Sequence, residues 1–415
     1  MKIAVIGSGI SGLSAAHYLS KKHKVDLFEK EDRFGGHAHT IDINFNEKNR
    51  IPIDVGFMVF NKVTYPNLIS FFEENNIAIE NSDMSFSVSV RETKIEYCGK
   101  GIKGIFSNLS NLFDIKFFKM FLEIISFYKN CENLDPKILD KNITLGEYLK
   151  QINISEYFVK FHIIPMVSAI WSMPPYESSQ MPMSFFLSFF KNHGLFKLKN
   201  RPQWYTVSNR SKTYVDKILN SLSGEHYKNY EINKVKRDTN DVKVYYGSDN
   251  EFFNYDKVVL ATHADQALKI LDEPSLDEKN ILSNFQYKKN IAIIHSDERA
   301  MPKNKKAWCS WNASMNKDNF DLSSVTYWIN QLQNLKISEN IFLTLNPIFE
   351  IDKNKIFETI EFTHPYYDKN ALNSQLDLEK IQNKNKILFC GSYFGYGFHE
   401  DGIKSSIEML KTIND

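Results

Sequence analysis

Two hydrophobic periodicities alternate at the start of the chain. Lys2 to Ile6 is a continuous apolar run, the pattern of a strand buried on both faces, and Leu13, Ala16 and Leu19 then recur at helical spacing as far as about Ser20. Lys24 to Phe28 predicts a second buried strand, ending at Glu29. Between the first strand and the helix stands Gly7-Ser8-Gly9-Ile10-Ser11-Gly12, so the opening reads as strand, turn, helix, parallel strand. From about Asn61 to Asn200 the pattern changes. Helical spacing covers Leu68 to Asn75, Ile115 to Asn130, Leu145 to Gln151 and Ser155 to Phe161, with Pro165, Pro174, Pro175 and Pro182 as punctuation. Strand patterns return at Glu231 to Arg237 and Val242 to Tyr246, across the turn Thr239-Asn240-Asp241, and again at Asp256 to Thr262. Ala264 to Leu271 predicts a helix, Ile281 to about Lys384 a second excursion, Lys386 to Cys390 a strand, and about Gly402 to Ile413 a final helix. One domain is therefore predicted from residues 1–60, 201–270 and 385–415. A second comes from the insertions 61–200 and 271–384.

The glycine turn has the context that makes it informative: strand before, helix after, and an acidic residue closing the next strand. Gly7 suits the tight turn, Gly9 lets backbone N–H groups approach a pyrophosphate, and Gly12 lets helix and strand pack closely. Glu29 stands 20 residues beyond Gly9, where a carboxylate bonds ribose hydroxyls and disfavours a 2′-phosphate. Two further segments add glycine turns: Arg33-Phe34-Gly35-Gly36-His37, and the loop from Cys390-Gly391-Ser392 to Gly397-Phe398-His399-Glu400-Asp401-Gly402-Ile403. Phosphate-competent turns at both ends of the chain fit a two-part cofactor better than a nicotinamide one.

Together with Asp54-Val55-Gly56 and the strand end Val258-Val259-Leu260-Ala261, these motifs resemble the FAD-dependent amine-oxidase and phytoene-desaturase superfamily from end to end. Finer strings resemble a bacterial branch of FAD-binding oxidoreductases: Ser168-Ala169-Ile170-Trp171-Ser172, Arg201-Pro202-Gln203-Trp204, His364-Pro365 and Gly397-Phe398-His399-Glu400-Asp401-Gly402. Members of that branch accompany cyclopropane-fatty-acid-type methyltransferases, and one is a fatty-acyl desaturase in furan fatty acid synthesis. The resemblance implies an α/β fold: a Rossmann-like FAD-binding domain, parallel sheet plus β-meander, assembled from discontinuous segments, with an inserted α+β substrate domain. It implies noncovalent FAD, with Gly7, Gly9, Ser11 and Gly12 at the pyrophosphate and Glu29, beside Lys30, at the ribose. Gly35, Gly36, His37, Gly56, Phe57 and Met58 would lie near the flavin, and the Val235 backbone near adenine. Gly391, Ser392, Glu400, Asp401, Gly402 and Ile403 would cover the ribityl chain and flavin edge. The chain departs from the superfamily pattern at His37, where many members have Arg, and at Ser392, where many have an acid. It departs again at Asn209-Arg210-Ser211 in place of Gly-Gly-Ser, although Arg resists positive φ.

A flavin carries hydride chemistry itself, so the protein needs a chamber and at most one acid or base. His399, flanked by two carboxylates, is the first proton-transfer candidate and His37 the second. His193 reads as a helix cap, His364-Pro365 as a turn, and Cys390 as a small buried hydrophobe. Trp171, Trp204, Tyr205 and Trp328 are the candidate substrate wall. The insertions are rich in Phe, Met and Leu, and no acid is evidently placed for an alkylammonium, which favours a lipid acyl or other long apolar substrate. An amine or amino-acid oxidase, and a non-catalytic flavin-binding partner of a lipid methyltransferase, are the alternatives.

Composition narrows the field further. The 415 residues hold 51 Lys+Arg against 50 Asp+Glu, and only seven are Arg, which disfavours nucleic acid as a partner. Four scattered cysteines offer neither a disulfide scaffold nor zinc-ligand spacing, so no metal is expected. No run reaches the ~18 apolar residues of a membrane span, and no cleavable leader is visible. The expectation is a cytoplasmic protein. Phe113 to Lys129 and Met183 to Lys199 are candidate interfacial helices that would hold it on the inner face of a membrane.

Overall fold

The computed structural model describes residues 1–46, 49–140, 142–247 and 251–413. Lys2–Ile6 (β1) is followed by Ile10–Ser20 (α1) and Lys24–Glu29 (β2). These strands sit inside a five-stranded parallel sheet whose order runs His226–Lys228, β2, β1, Lys257–Leu260, Ile387–Phe389. Alternation along β1 explains why the whole run is apolar. Ile3 and Val5 point into a core shared with Leu13 and Ala16 of α1 and Ile403 of the C-terminal helix His399–Leu410. Ala4 and Ile6 point the other way, into a core with Val235 and Val244 of a three-stranded antiparallel meander. The FAD-binding fold read from sequence is thus present as two layers around a parallel sheet.

The inserted segments build a seven-stranded mixed sheet. Its order is Ile356–Tyr366, Gln286–His295, Phe342–Leu345, Ser323–Trp328, Trp311–Asn316, Phe86–Arg91, Glu96–Cys98. A helical layer covers one face, where Val88 and Ala313 meet Phe117, Phe158, Phe186 and Phe190. The run predicted as a helix over Ser155 to Phe161 is more broken than its spacing suggests. Glu156–Phe158 passes through a π turn, Val159–Ile163, into the helix Ile164–Trp171. Pro165 is the cause: it has no N–H for the Phe161 carbonyl one turn back. The Tyr97 hydroxyl donates to that carbonyl instead, at 2.7 Å. The helix so placed ends at Trp171, which the site uses.

His364 and Pro365 are not a turn. Both lie in the outermost strand, Ile356–Tyr366, with Pro365 opposite Tyr287 and His364 opposite Lys288. A sheet edge tolerates proline because its missing N–H has no partner to lose. The Asn209-Arg210 corner takes left-handed conformations, φ 61° and 79°. Arg210 is held in that unfavourable region by its own side chain, whose Nε donates to the Pro52 carbonyl at 2.8 Å. Ser211 N–H then donates to Asp54, as do the hydroxyls of Ser211 and Thr40, both at 2.6 Å.

Candidate functional site

A cavity of about 1150 Å³ runs from the glycine turn, between the two sheets, into the inserted segments. That exceeds the ~300–1000 Å³ of ordinary small-molecule sites, leaving room for a large cofactor and a substrate together. At one end α1 begins at Ile10 with Gly9 extended before it and no side-chain cap, and Gly9, Ile10 and Ser11 line the cavity. The first-turn N–H groups therefore face a space suited to phosphate oxygens. A Cβ on Gly9 would meet nothing within 4 Å, so this glycine is required by no protein neighbour and leaves open the approach of a ligand. Gly12 differs: a Cβ there would sit 1.8 Å from the Gly7 carbonyl oxygen, so its bareness serves packing. Glu29 also lines the cavity, and its carboxylate accepts hydrogen bonds from Ser8 N–H and the Ser8 hydroxyl and from Glu31 N–H. It clamps the glycine loop and, with about four lone-pair sites, keeps capacity for a ribose hydroxyl.

Further in, Gly36, His37, Gly56, Phe57 and Met58 meet Gly391, Ser392 and Phe398 around the middle of the cavity. His37 packs its ring against Phe362 and His364, both at 5.3 Å between centroids, and its Nε2 is buried without a partner. Burial, then the Arg33 charge, hold its pKa down at about 4, so a neutral imidazole faces this region. His399 stacks on Phe57 at 3.6 Å and shares a 3.1 Å hydrogen bond between Nε2 and the Tyr214 hydroxyl. Burial likewise keeps it neutral. The flanking carboxylates do not turn toward it. Glu400 accepts from the backbone N–H of Asn67 and Leu68, capping the helix Pro66–Glu74, and Asp401 accepts from Phe398 N–H at 2.9 Å. Buried Asp401 has its pKa pushed up to about 6.

Toward the inserted segments the wall becomes aromatic. Trp171 and His193 sandwich Phe189, at 4.6 and 3.9 Å. Trp204 lies parallel to His193 at 6.5 Å, and Trp311 meets Tyr327 edge-on at 4.7 Å. His193 caps its helix as the sequence suggests, its ring Nδ1 within 2.9 Å of the Phe189 carbonyl. The Trp311 indole N–H is buried without a partner.

Of the residues singled out in the sequence, Gly7, Gly9, Ser11, Glu29, Lys30, Gly36, His37, Gly56, Phe57, Met58, Gly391, Ser392, His399, Trp171 and Trp204 line this one cavity. The others stand behind or away from its wall. Gly35 is held by its N–H on Ser8, at 3.1 Å. Gly402 packs the C-terminal helix on α1, where a Cβ would lie 2.7 Å from Ser11 Oγ, and Ile403 is fully buried in the same core. The Val235 carbonyl is taken by Asp272 N–H at 2.9 Å. Tyr205 and Trp328 follow the pleat away from the cavity: each neighbours a residue, Trp204 or Tyr327, that faces it. Tyr205 packs on Phe60, and the Trp328 indole donates to Asn340. Trp311, Tyr327 and His364 join the wall without having been singled out as such, because the strands that carry them were not read from the sequence; His263 joins it from the cap of helix Ala264–Ile270.

An uncapped helix start, a glycine left open and a long two-ended cavity are the equipment of a flavoprotein oxidoreductase. The family profile described as flavin-containing amine oxidoreductase matches residues 10–331. The chain belongs to that family, and is an FAD-dependent oxidoreductase. A curated relative, the flavin-dependent L-tryptophan oxidase RebO of Lentzea aerocolonigenes, is 42% identical over 59 residues, which is 14% of this chain and only 12% of that protein's length. The fold matches a CLA-producing fatty acid isomerase from P. acnes with a TM-score of 0.69 at 13% identity, covering 100% of this chain and 98% of that one. It matches cyclohexylamine oxidase from Brevibacterium oxydans IH-35A with a TM-score of 0.67 at 14% identity, over 99% and 98%.

Proposed function

We propose that this oxidoreductase acts on a long apolar substrate, a lipid acyl chain, to introduce or move a carbon–carbon double bond. The observation that carries the reading is the chemistry of the inner wall. Of the cavity-lining residues contributed by 61–200 and 271–384, only Glu358 and Glu361 bear a formal charge; both are exposed to solvent, and Glu361 pairs with Lys289 at 2.9 Å, while His193 is kept neutral by burial with its pKa at about 4. An alkylammonium would enter such a chamber without a counter-ion, at a desolvation cost of several kcal/mol. A hydrocarbon chain instead gains about 0.8 kcal/mol for each CH₂ buried against Met58, Met84, Ile170, Leu195 and Leu343. The fatty acid isomerase among the similar folds supports the reading.

Bound FAD supplies the hydride-accepting chemistry. The protein's own part is to orient and to exclude water. Trp171, fixed by its indole N–H on the Tyr396 carbonyl at 3.3 Å, and Phe189 present flat apolar faces along the chamber. The unpartnered Trp311 N–H offers one donor, suited to a carbonyl or hydroxyl oxygen on an otherwise apolar molecule. His37 and His399, both neutral, are the proposed proton-handling groups nearest the middle of the cavity.

Incubating the holoenzyme with fatty acids and phospholipids, followed by mass and chromatographic analysis, tests the reading. A product lacking two hydrogens, or an isomer of equal mass, is expected. Unchanged lipids together with peroxide release from amines would establish the amine-oxidase reading instead.

A further inference from the structure

The helix Ile115–Asn133 carries two apolar faces. Phe117, Met120, Ile124, Phe127 and Cys131 are buried in the cluster that also holds Trp171 and Phe189. On the opposite side Ile115, Phe118, Leu122 and Ile125 recur at i, i+3, i+7 and i+10, and are 85%, 49%, 51% and 37% exposed; Phe113, just before the helix, is 87% exposed. A helix on the surface of a water-soluble protein has one apolar stripe, against the core. The outer stripe here contributes nothing to that core, and contiguous exposed apolar surface marks an interaction site.

Lysines border the stripe. Exposed Lys116 and Lys119 share the helix and, with Lys160, line a shallow groove of about 520 Å³ formed with Tyr157, Phe161, Phe320 and Glu156, which pairs with Lys160 at 3.1 Å. The nearby acids have structural work. Asp114 caps the helix by accepting from Lys116 N–H at 2.9 Å, and Glu123 accepts from Ser155 N–H at 3.1 Å while pairing with Lys119 at 3.8 Å. After Ile125 the exposed side turns polar, at Ser126, Lys129, Asn130 and Glu132. The other segment with this composition is different: Met183, Phe185, Phe186, Leu187, Phe189 and Phe190 of helix Met183–Asn192 are all buried, leaving no stripe outside.

We propose that this face docks on an anionic lipid bilayer. Phe113, Ile115, Phe118 and Leu122 enter the boundary of the acyl chains, and Lys116 and Lys119 reach headgroup phosphates. Charge selects lipid over a second copy of the chain, because two-fold pairing of these faces would set Lys116 and Lys119 against their own counterparts. The proposal stands apart from the substrate reading, since it concerns the outer side of the helix only.

Flotation of the holoprotein with vesicles of phosphatidylcholine, with and without phosphatidylglycerol, tests it. The protein is expected to float with the anionic vesicles and to be released by salt. Lys116→Gln/Lys119→Gln should weaken partitioning about fivefold for each lysine lost, and Phe118→Glu/Leu122→Glu should abolish it while Tm and flavin absorption stay unchanged. Retention in the dense fraction with both vesicle types would overturn the proposal. So would flotation unaffected by either double variant, or a dimer that Phe118→Glu/Leu122→Glu converts to a monomer.

Discussion

Gly9 and Gly12 are three residues apart in one motif and bare for different reasons. At Gly9 the backbone is φ −64° and ψ −179°, which alanine adopts freely, and a methyl would project into open space. Gly9→Ala should therefore leave apoprotein stability unchanged while weakening FAD at least tenfold, about 1.4 kcal/mol. Gly12→Ala should cost the apoprotein about 2 kcal/mol or more, because its Cβ meets rigid backbone. Thermal melts of the apoprotein and titration with FAD separate the two. Equal effects on folding would contradict the division of labour. The sequence reading assigned Gly9 to the pyrophosphate and Gly12 to close packing by motif; the distances name the neighbour that Gly12 makes room for, the Gly7 carbonyl oxygen. Arg210 makes a similar point: its positive φ is unreadable from residue type, and follows from a side-chain bond to Pro52 more than 150 positions away in sequence.

At the scale of elements, Glu400 is the informative case. Its place in a glycine loop beside the cofactor suggested flavin contact, yet its carboxylate closes the start of helix Pro66–Glu74 through Asn67 and Leu68. Removing such a cap costs about 1–2 kcal/mol. Glu400→Ala should lower Tm by a few degrees and leave FAD affinity within about twofold. A large loss of FAD affinity at unchanged Tm would restore the ligand role. Four strands of the parallel sheet were legible because both faces are buried and the residues are continuously apolar; the edge strand His226–Lys228, polar and largely exposed, was not read. Nor was the seven-stranded sheet. Gln286–His295 mixes Lys and Asn with Ile, and Ile356–Tyr366 hides its strand behind Pro365 at an edge where proline does no harm. Missing those strands also meant missing their pleat, which is what turns Trp311 and Tyr327 inward and Trp328 outward.

For the whole molecule, buried histidines set the response to acid. His37, His193 and His295 are each held at about 4, with burial the largest cause. Unfolded, each titrates near 6.5, so between the two values the folded chain binds fewer protons. This stability is present above about pH 6.5 and is lost as pH falls toward 4, on the order of several kcal/mol in sum. Tm should fall steadily between pH 6.5 and 4.5 with net proton uptake on unfolding, and a flat profile there would show these rings to be solvated. The same burial makes the chamber a place for uncharged molecules. No helix among the described residues is long and apolar enough to cross a membrane.

The most direct test of the account is an anaerobic titration of the yellow holoprotein, followed by visible absorption, with lipid acyl substrates in one series and primary amines in another. Bleaching by the lipids, with the amines inert, is the predicted result. Bleaching by amines while lipids leave the spectrum unchanged would contradict it.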